Sequence, residues 1–121
     1  MSPPMDPRAN KNLVVRLYKE GFVGDPRGLN RFFAPNYKDH SFFGDLAGLK
    51  AALHSFRRAF PSATWRVEHC LAEGDKVAVR AVMSVRNALG TVKTATMTSI
   101  YRIQSGKIVE HWGNSEDLHV E

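Results

Sequence analysis

The chain has 121 residues, 43% hydrophobic and 24% charged, with 17 Lys and Arg against 12 Asp and Glu for a formal net charge of +5. That size and balance suit one soluble domain, long enough to bury a core without disulfides or a structural metal. They exclude a membrane span, since no run approaches ~18 apolar residues. They also give no basic cluster interleaved with aromatics, as nucleic-acid binding requires: the densest basic spot is Arg57-Arg58.

The opening segment, MSPPMDPRAN, lacks the apolar stretch of a secretory signal. Residues 1–9 read as a loose Pro-rich tail ahead of a single domain over 10–121. From Asn10 the pattern turns helical: Leu13, Val14, Leu17, Tyr18 and Phe22 form one apolar stripe, closed by Gly24-Asp25-Pro26. A short second helix is predicted around Leu29, Phe32 and Phe33, stopped by Ala34-Pro35. An extended, aromatic-rich piece (36–45) follows. A third helix covers 46–60, with Leu49, Leu53, Phe56 and Phe60 on one face.

The period then changes to two. Trp65, Val67, His69 and Leu71 alternate with Arg66, Glu68 and Cys70, and EGDK makes a hairpin turn. Val77, Val79, Ala81, Met83 and Val85 line one face of the next strand. Two further strands, 92–103 and 107–114, flank Ser105-Gly106. Helices first and an antiparallel meander after them give an α+β plan, with helices on one face of a curved sheet. The other face carries Val, Met and Tyr residues too apolar for water alone, so a homodimer through the sheet is expected.

Cys70 is the single cysteine, which rules out an intrachain disulfide and points to a reducing, cytoplasmic setting. The sequence has no Cys/His spacing for zinc, no phosphate-binding Gly loop and no G-x-S-x-G, so no metal or cofactor is expected.

Three segments in order, LVVRLYKEGFVGDPRGLNRFFAPNYKDH, GLKAALHSFRRAFPSATWRVEHCLAEGDKVAVR and TSIYRIQSGKIVEHW, resemble the SnoaL-like polyketide cyclase family, within the superfamily of nuclear transport factor two and ketosteroid isomerase. The resemblance spans about residues 10–118. It implies a cone-shaped roll, with the N-terminal helices packed in the concave face of a curved, mainly antiparallel sheet around an apolar pocket. It also implies cofactor-free acid–base chemistry on a small apolar carbonyl or polyketide-like compound. Burial would tune the acid and base, and a nearby donor would hold the enolate oxygen.

The resemblance nominates site residues. In YKDH, strand alternation allows one of Asp39 and His40 to point inward. His40 matches a histidine frequent in the family and is read as base or oxyanion donor, a role its pKa class suits. Asp39 lies near the catalytic carboxylate of the isomerases but reads more simply as a loop or cap contact. In IVEHWGNSEDL, Ile108, Glu110, Trp112 and Asn114 share one face. The resemblance implies that Trp112 is a pocket wall, with plain core packing as the alternative, and His111 would then face outward to solvent or a dimer partner.

Asp117 is the best match to the family's acid–base aspartate, one residue later than usual; a bulge at Gly113 would bring it inward. Asn114 stands where epoxide-opening relatives keep an acid, and it cannot serve as a base. Arg80 is followed by Val82 where those relatives have an Asp, so epoxide hydrolysis ranks low, and Arg80 is left as a substrate-carboxylate ligand or a surface residue. Tyr18 lies where the isomerases place an oxyanion tyrosine, though core packing explains it as well. His69, on the parity of Trp65, reads as a core or pocket histidine. Phe33, Phe60 and Trp65 are core or pocket wall.

Two functions follow: a cyclase- or isomerase-like enzyme using His40 and Asp117, or a non-catalytic small-ligand or dimerisation module. Asn114 in an acid's place favours the second; Asp39-His40 together with Asp117 favours the first, which is the leading reading.

Overall fold

The computed structural model describes residues 6–120. Helix α1 (Pro7–Arg16) starts where Asp6 accepts the N–H groups of Arg8 and Ala9 at 3.0 and 3.3 Å, with proline in its first turn. Residues 7–9 therefore belong to this helix; the rest of the expected tail, residues 1–5, lies outside the described residues. The helix widens into a π-turn (Leu17–Gly21) that carries Tyr18 into the interior. The expected second helix is a 3-10 turn (Pro26–Arg31) capped by Asp25, and Phe33 opens a strand instead of closing a helix.

Strand β1 (Phe33–Asp39) and the two-residue β2 (Gly44–Asp45) lead into helix α2 (Leu46–Ala59), whose first turn is capped by the Asp45 side chain. Leu46, Leu49 and Leu53 are its buried stripe. The meander follows as β3 (Thr64–Glu73), β4 (Lys76–Arg86), β5 (Val92–Gln104) and β6 (Lys107–Ser115). A short β7 (His119–Val120), which alternation did not reveal, pairs with Lys93 and Thr94 of β5.

Spatial order in the sheet is β2-β1-β6-β5-β4-β3, antiparallel throughout except for the parallel β1–β6 pair. The concave face holds the helices over Val77, Val79, Ala81, Tyr101, Ile103 and Ile108, forming one core with Val14, Leu17, Leu29, Phe32 and Phe33. This is the α+β cone expected from the sequence.

Two β-bulges decide which side chains enter the cone. In β3, Val67 pairs with Ala81 and His69 with Arg80, leaving Glu68 as the extra residue. In β6, Ile108 pairs with Ile103 and Glu110 with Arg102, leaving Val109 extra. Each extra residue reverses the alternation beyond it. After the first bulge Cys70 and Ala72 pack inward, while Leu71 is 72% exposed. After the second, His111 turns inward and Trp112 outward.

Candidate active site

Between α2 and the sheet lies a cavity of about 330 Å³. Its walls are apolar: Leu49, Leu53 and Phe56 from α2, Trp65 from β3, Met83 from β4 and Met97 from β5. Phe42 and Phe43, in the turn between β1 and β2, lie at its partly exposed rim. Asp39, His111, Ser99, Tyr37 and Tyr101 bring polar groups to this lining.

Those groups are connected. Asp39 and His111 are register partners across β1 and β6, and Asp39 Oδ1 stands 3.2 Å from His111 Nδ1. Both side chains are buried, the aspartate at 1% exposure. Asp39 Oδ1 also accepts the N–H groups of Ser41 and Phe42 at 2.9 and 3.0 Å, and Oδ2 accepts the Tyr37 hydroxyl at 2.9 Å. Burial alone would raise the Asp39 pKa. The contact with His111 and the two backbone donors outweigh it and hold the carboxyl well below its ordinary range. Asp39 is thus an anion at neutral pH, unsuited to taking a proton itself.

On the far side of the imidazole, His111 Nε2 is 2.9 Å from Ser99 Oγ. The carboxylate beside Nδ1 favours the tautomer with its proton there, which leaves Nε2 to accept from the Ser99 hydroxyl. The Nδ1–carboxylate contact falls short of a well-aligned hydrogen bond. Beyond Ser99, the hydroxyls of Tyr18 and Tyr101 are 2.8 Å apart. Burial pushes both phenols above their ordinary pKa, so each keeps its proton and remains a donor. Tyr37 is pushed up too, by burial and then by the Asp39 charge.

Gly113 fits this cluster by having no side chain. A Cβ there would come within 2.7 Å of Ser99 Oγ and 2.8 Å of His111 Nε2.

The sequence profile of the SnoaL-like domain matches residues 14–111. The chain belongs to the SnoaL-like domain family. No curated protein sequence matches it. Among solved structures, a loop-truncated IdmH, a candidate polyketide cyclase of Streptomyces antibioticus in its wild-type form, is 26% identical with a TM-score of 0.81 over 88% of this chain and 92% of that one. TsrD of Streptomyces laurentii is 22% identical at a TM-score of 0.76, covering 93% and 91%. AclR of Streptomyces galilaeus, a candidate hydroxylase, is 21% identical at 0.78, covering 92% and 77%.

In this SnoaL-like domain several nominated residues sit elsewhere than expected. His40 lies outside the cavity: its ring stacks on Trp112 at 5.1 Å, and its Nε2 is 2.8 Å from Glu110 on the outer face. Trp112 faces outward with it, so neither is a pocket wall, and His111 takes the inward place. Asp117 is exposed, and its backbone oxygen is met by His119; no bulge at Gly113 turns it inward. His69 is exposed beyond the β3 bulge. Arg80 pairs with Glu68 at 3.0 Å and, with Asn114, borders a shallow recess on the convex face.

Phe33 and Trp65 line the cavity; Phe60 packs beside it with Phe56. Tyr18 is core, and reaches the cluster through Tyr101. Sequence reasoning did not nominate Ser99 or Tyr37, and it set His111 on the wrong face. The one available signal was the Ile108-Val109 pair: two adjacent apolar residues at a strand start mark a place where alternation can slip.

Among the described residues, no group of His, Cys, Asp and Glu is arranged to hold a metal ion, and no helix is long and apolar enough to cross a membrane.

Proposed function

We propose that this SnoaL-like domain is a cofactor-free acid–base enzyme of cyclase or isomerase type, acting on a small apolar carbonyl compound, with His111 as the proton carrier. The observation that supports this most is the buried Asp39–His111 contact opening into an otherwise apolar cavity. A carbon acid bound against the Met and Phe walls would give its proton to His111 Nε2, displacing Ser99 from that nitrogen. The imidazolium formed would lie beside the Asp39 anion, which offsets its charge in a poorly solvated place. The Tyr101 hydroxyl, backed by Tyr18, would donate to the oxygen that becomes negative. Positioned proton transfer of this kind contributes on the order of 10²–10⁴ in rate.

The test is solvent exchange. In D2O, the purified protein should speed deuterium incorporation next to the carbonyl of some member of a panel of aryl and cyclic ketones and 1,3-dicarbonyls. Exchange at the buffer rate for every compound would count against the reading.

The homodimer is proposed for the convex face. Leu71, Ala78, Ile100 and Trp112 pair in sequence across four strands, forming one apolar row. Leu71, Ile100 and Trp112 are exposed. Ion pairs flank the row: Arg80 with Glu68, and Arg102 with Glu110. A second copy related by a two-fold axis would bury the row and set its rim charges against one another.

A further inference from the structure

The polar floor has a geometry that proton transfer alone does not require. Ser99 Oγ stands 2.9 Å from His111 Nε2, and His111 Nδ1 stands 3.2 Å from an Asp39 carboxylate that stays ionised. A hydroxyl, an imidazole and a buried carboxylate in that order are the parts of a serine nucleophile, and such a set is recognised by geometry, whatever the chain order or fold. Here the three come from β5, β6 and β1, so the sheet itself fixes their spacing. Ser99 lies on the cavity wall. Gly113, having no Cβ, lets Ser99 Oγ and His111 Nε2 sit close against the β6 backbone. One of the Tyr18 and Tyr101 hydroxyls donates to the other across 2.8 Å, which leaves the accepting hydroxyl its own proton to donate.

We infer that Ser99, His111 and Asp39 form a serine nucleophile able to cleave small apolar carboxylic esters, with water as the final acceptor of the acyl group. This activity uses the same Asp39–His111 pair as the proposed carbon-acid chemistry but adds a covalent step on Ser99. The Ser99 oxygen forms a bond to the ester carbonyl carbon while its proton passes to His111 Nε2. The carbonyl π pair moves onto oxygen, facing the Tyr101 phenol. Collapse breaks the bond to the alkoxy group, which leaves with the proton from His111. Water then adds to the acyl carbon, giving a proton to His111; the Ser99 oxygen departs with that proton, and the carboxylic acid is released. No electrons are gained or lost overall. The apolar walls formed by Leu49, Leu53, Phe56 and Met83 select an uncharged acyl chain or ring.

The probe is an alkyl fluorophosphonate, which transfers a phosphonyl group to an activated serine. Intact mass and peptide mapping of the full chain should show one adduct, on the peptide containing Ser99. Ser99→Ala should abolish the adduct. Asp39→Asn should slow labelling at least 100-fold. An unlabelled Ser99 in folded wild-type protein overturns the inference, as does labelling unaffected by Asp39→Asn. Wild-type mapping decides the matter even where a variant fails to fold. Ketone exchange run on the same preparation separates the two activities: exchange without an adduct removes the nucleophile alone, and loss of both removes the pair.

Discussion

Asp39 Oδ1 and His111 Nδ1 stand 3.2 Å apart across the only parallel strand pair of the described sheet. The carboxylate is buried, at 1% side-chain exposure. It is also held by the N–H groups of Ser41 and Phe42 and by the Tyr37 hydroxyl, so its position is set by the backbone turn that also presents Phe42 at the cavity rim. Asp39→Asn keeps the shape and removes the charge. We expect proton-transfer activity to fall by about 10²–10⁴ and stability by about 1–3 kcal/mol, the cost of weakening hydrogen bonds to a buried charged group. Exchange rates and urea melts on the same variant read the two effects.

The same carboxylate gives a pH dependence of fixed sign. Its folded pKa lies below the unfolded value of about 3.9, so the unfolded chain binds the proton more readily. The stabilisation is complete above that unfolded value and is lost as pH falls below it toward the lower folded value. Wild-type stability should therefore drop below about pH 4 more steeply than that of Asp39→Asn. Asp25, Glu110 and Glu116 are also shifted down by their partners. They are solvated, so added salt should flatten their contribution and leave the Asp39 difference standing. Urea melts between pH 2 and 6 at two salt concentrations measure this.

Gly113→Ala tests how tightly the cluster is built. The added methyl would meet Ser99 Oγ at 2.7 Å, His111 Nε2 at 2.8 Å and the Thr98 carbonyl at 2.9 Å. The Thr98 oxygen belongs to the neighbouring strand and cannot swing aside. We expect a loss of about 1–3 kcal/mol from overpacking, together with loss of the Ser99–His111 contact, visible as a shift of the His111 ring signals in NMR.

Ile100→Asp tests the proposed dimer. Ile100 lies mid-row on the convex face and is 42% exposed, so a charge there disturbs little within one chain. Light scattering should show two chains per particle for the wild type and one for the variant, with the monomer still folded by circular dichroism. A wild type that is monomeric at micromolar concentration contradicts the dimer.

How far the sequence could lead is seen in β6. The helical stripes of α1 and α2, the turns at Gly74 and Gly106 and the order of the strands follow from local pattern, because periodicity and turn chemistry are short-range. The direction of His111 is not short-range. It depends on Val109 being squeezed out of register between β5 and β1, which only the assembled sheet decides. One extra residue exchanged the faces of His111 and Trp112, and with them which histidine meets the cavity. His69 was displaced in the same way by Glu68 in β3. Asp39 was legible as one of two alternatives, since either it or His40 had to point inward. Ser99 carried no signal, being one hydroxyl in a Thr- and Ser-rich strand.

The central claim is that His111, not His40, moves the proton. The direct measurement is the rate of solvent-deuterium exchange into a ketone turned over by the wild type, compared in His111→Gln and His40→Ala, with folding checked by melting. The account predicts a fall of about 10²–10⁴ for His111→Gln and a rate within twofold of wild type for His40→Ala. The reverse pattern, with exchange surviving in a folded His111→Gln and lost in His40→Ala, would contradict it.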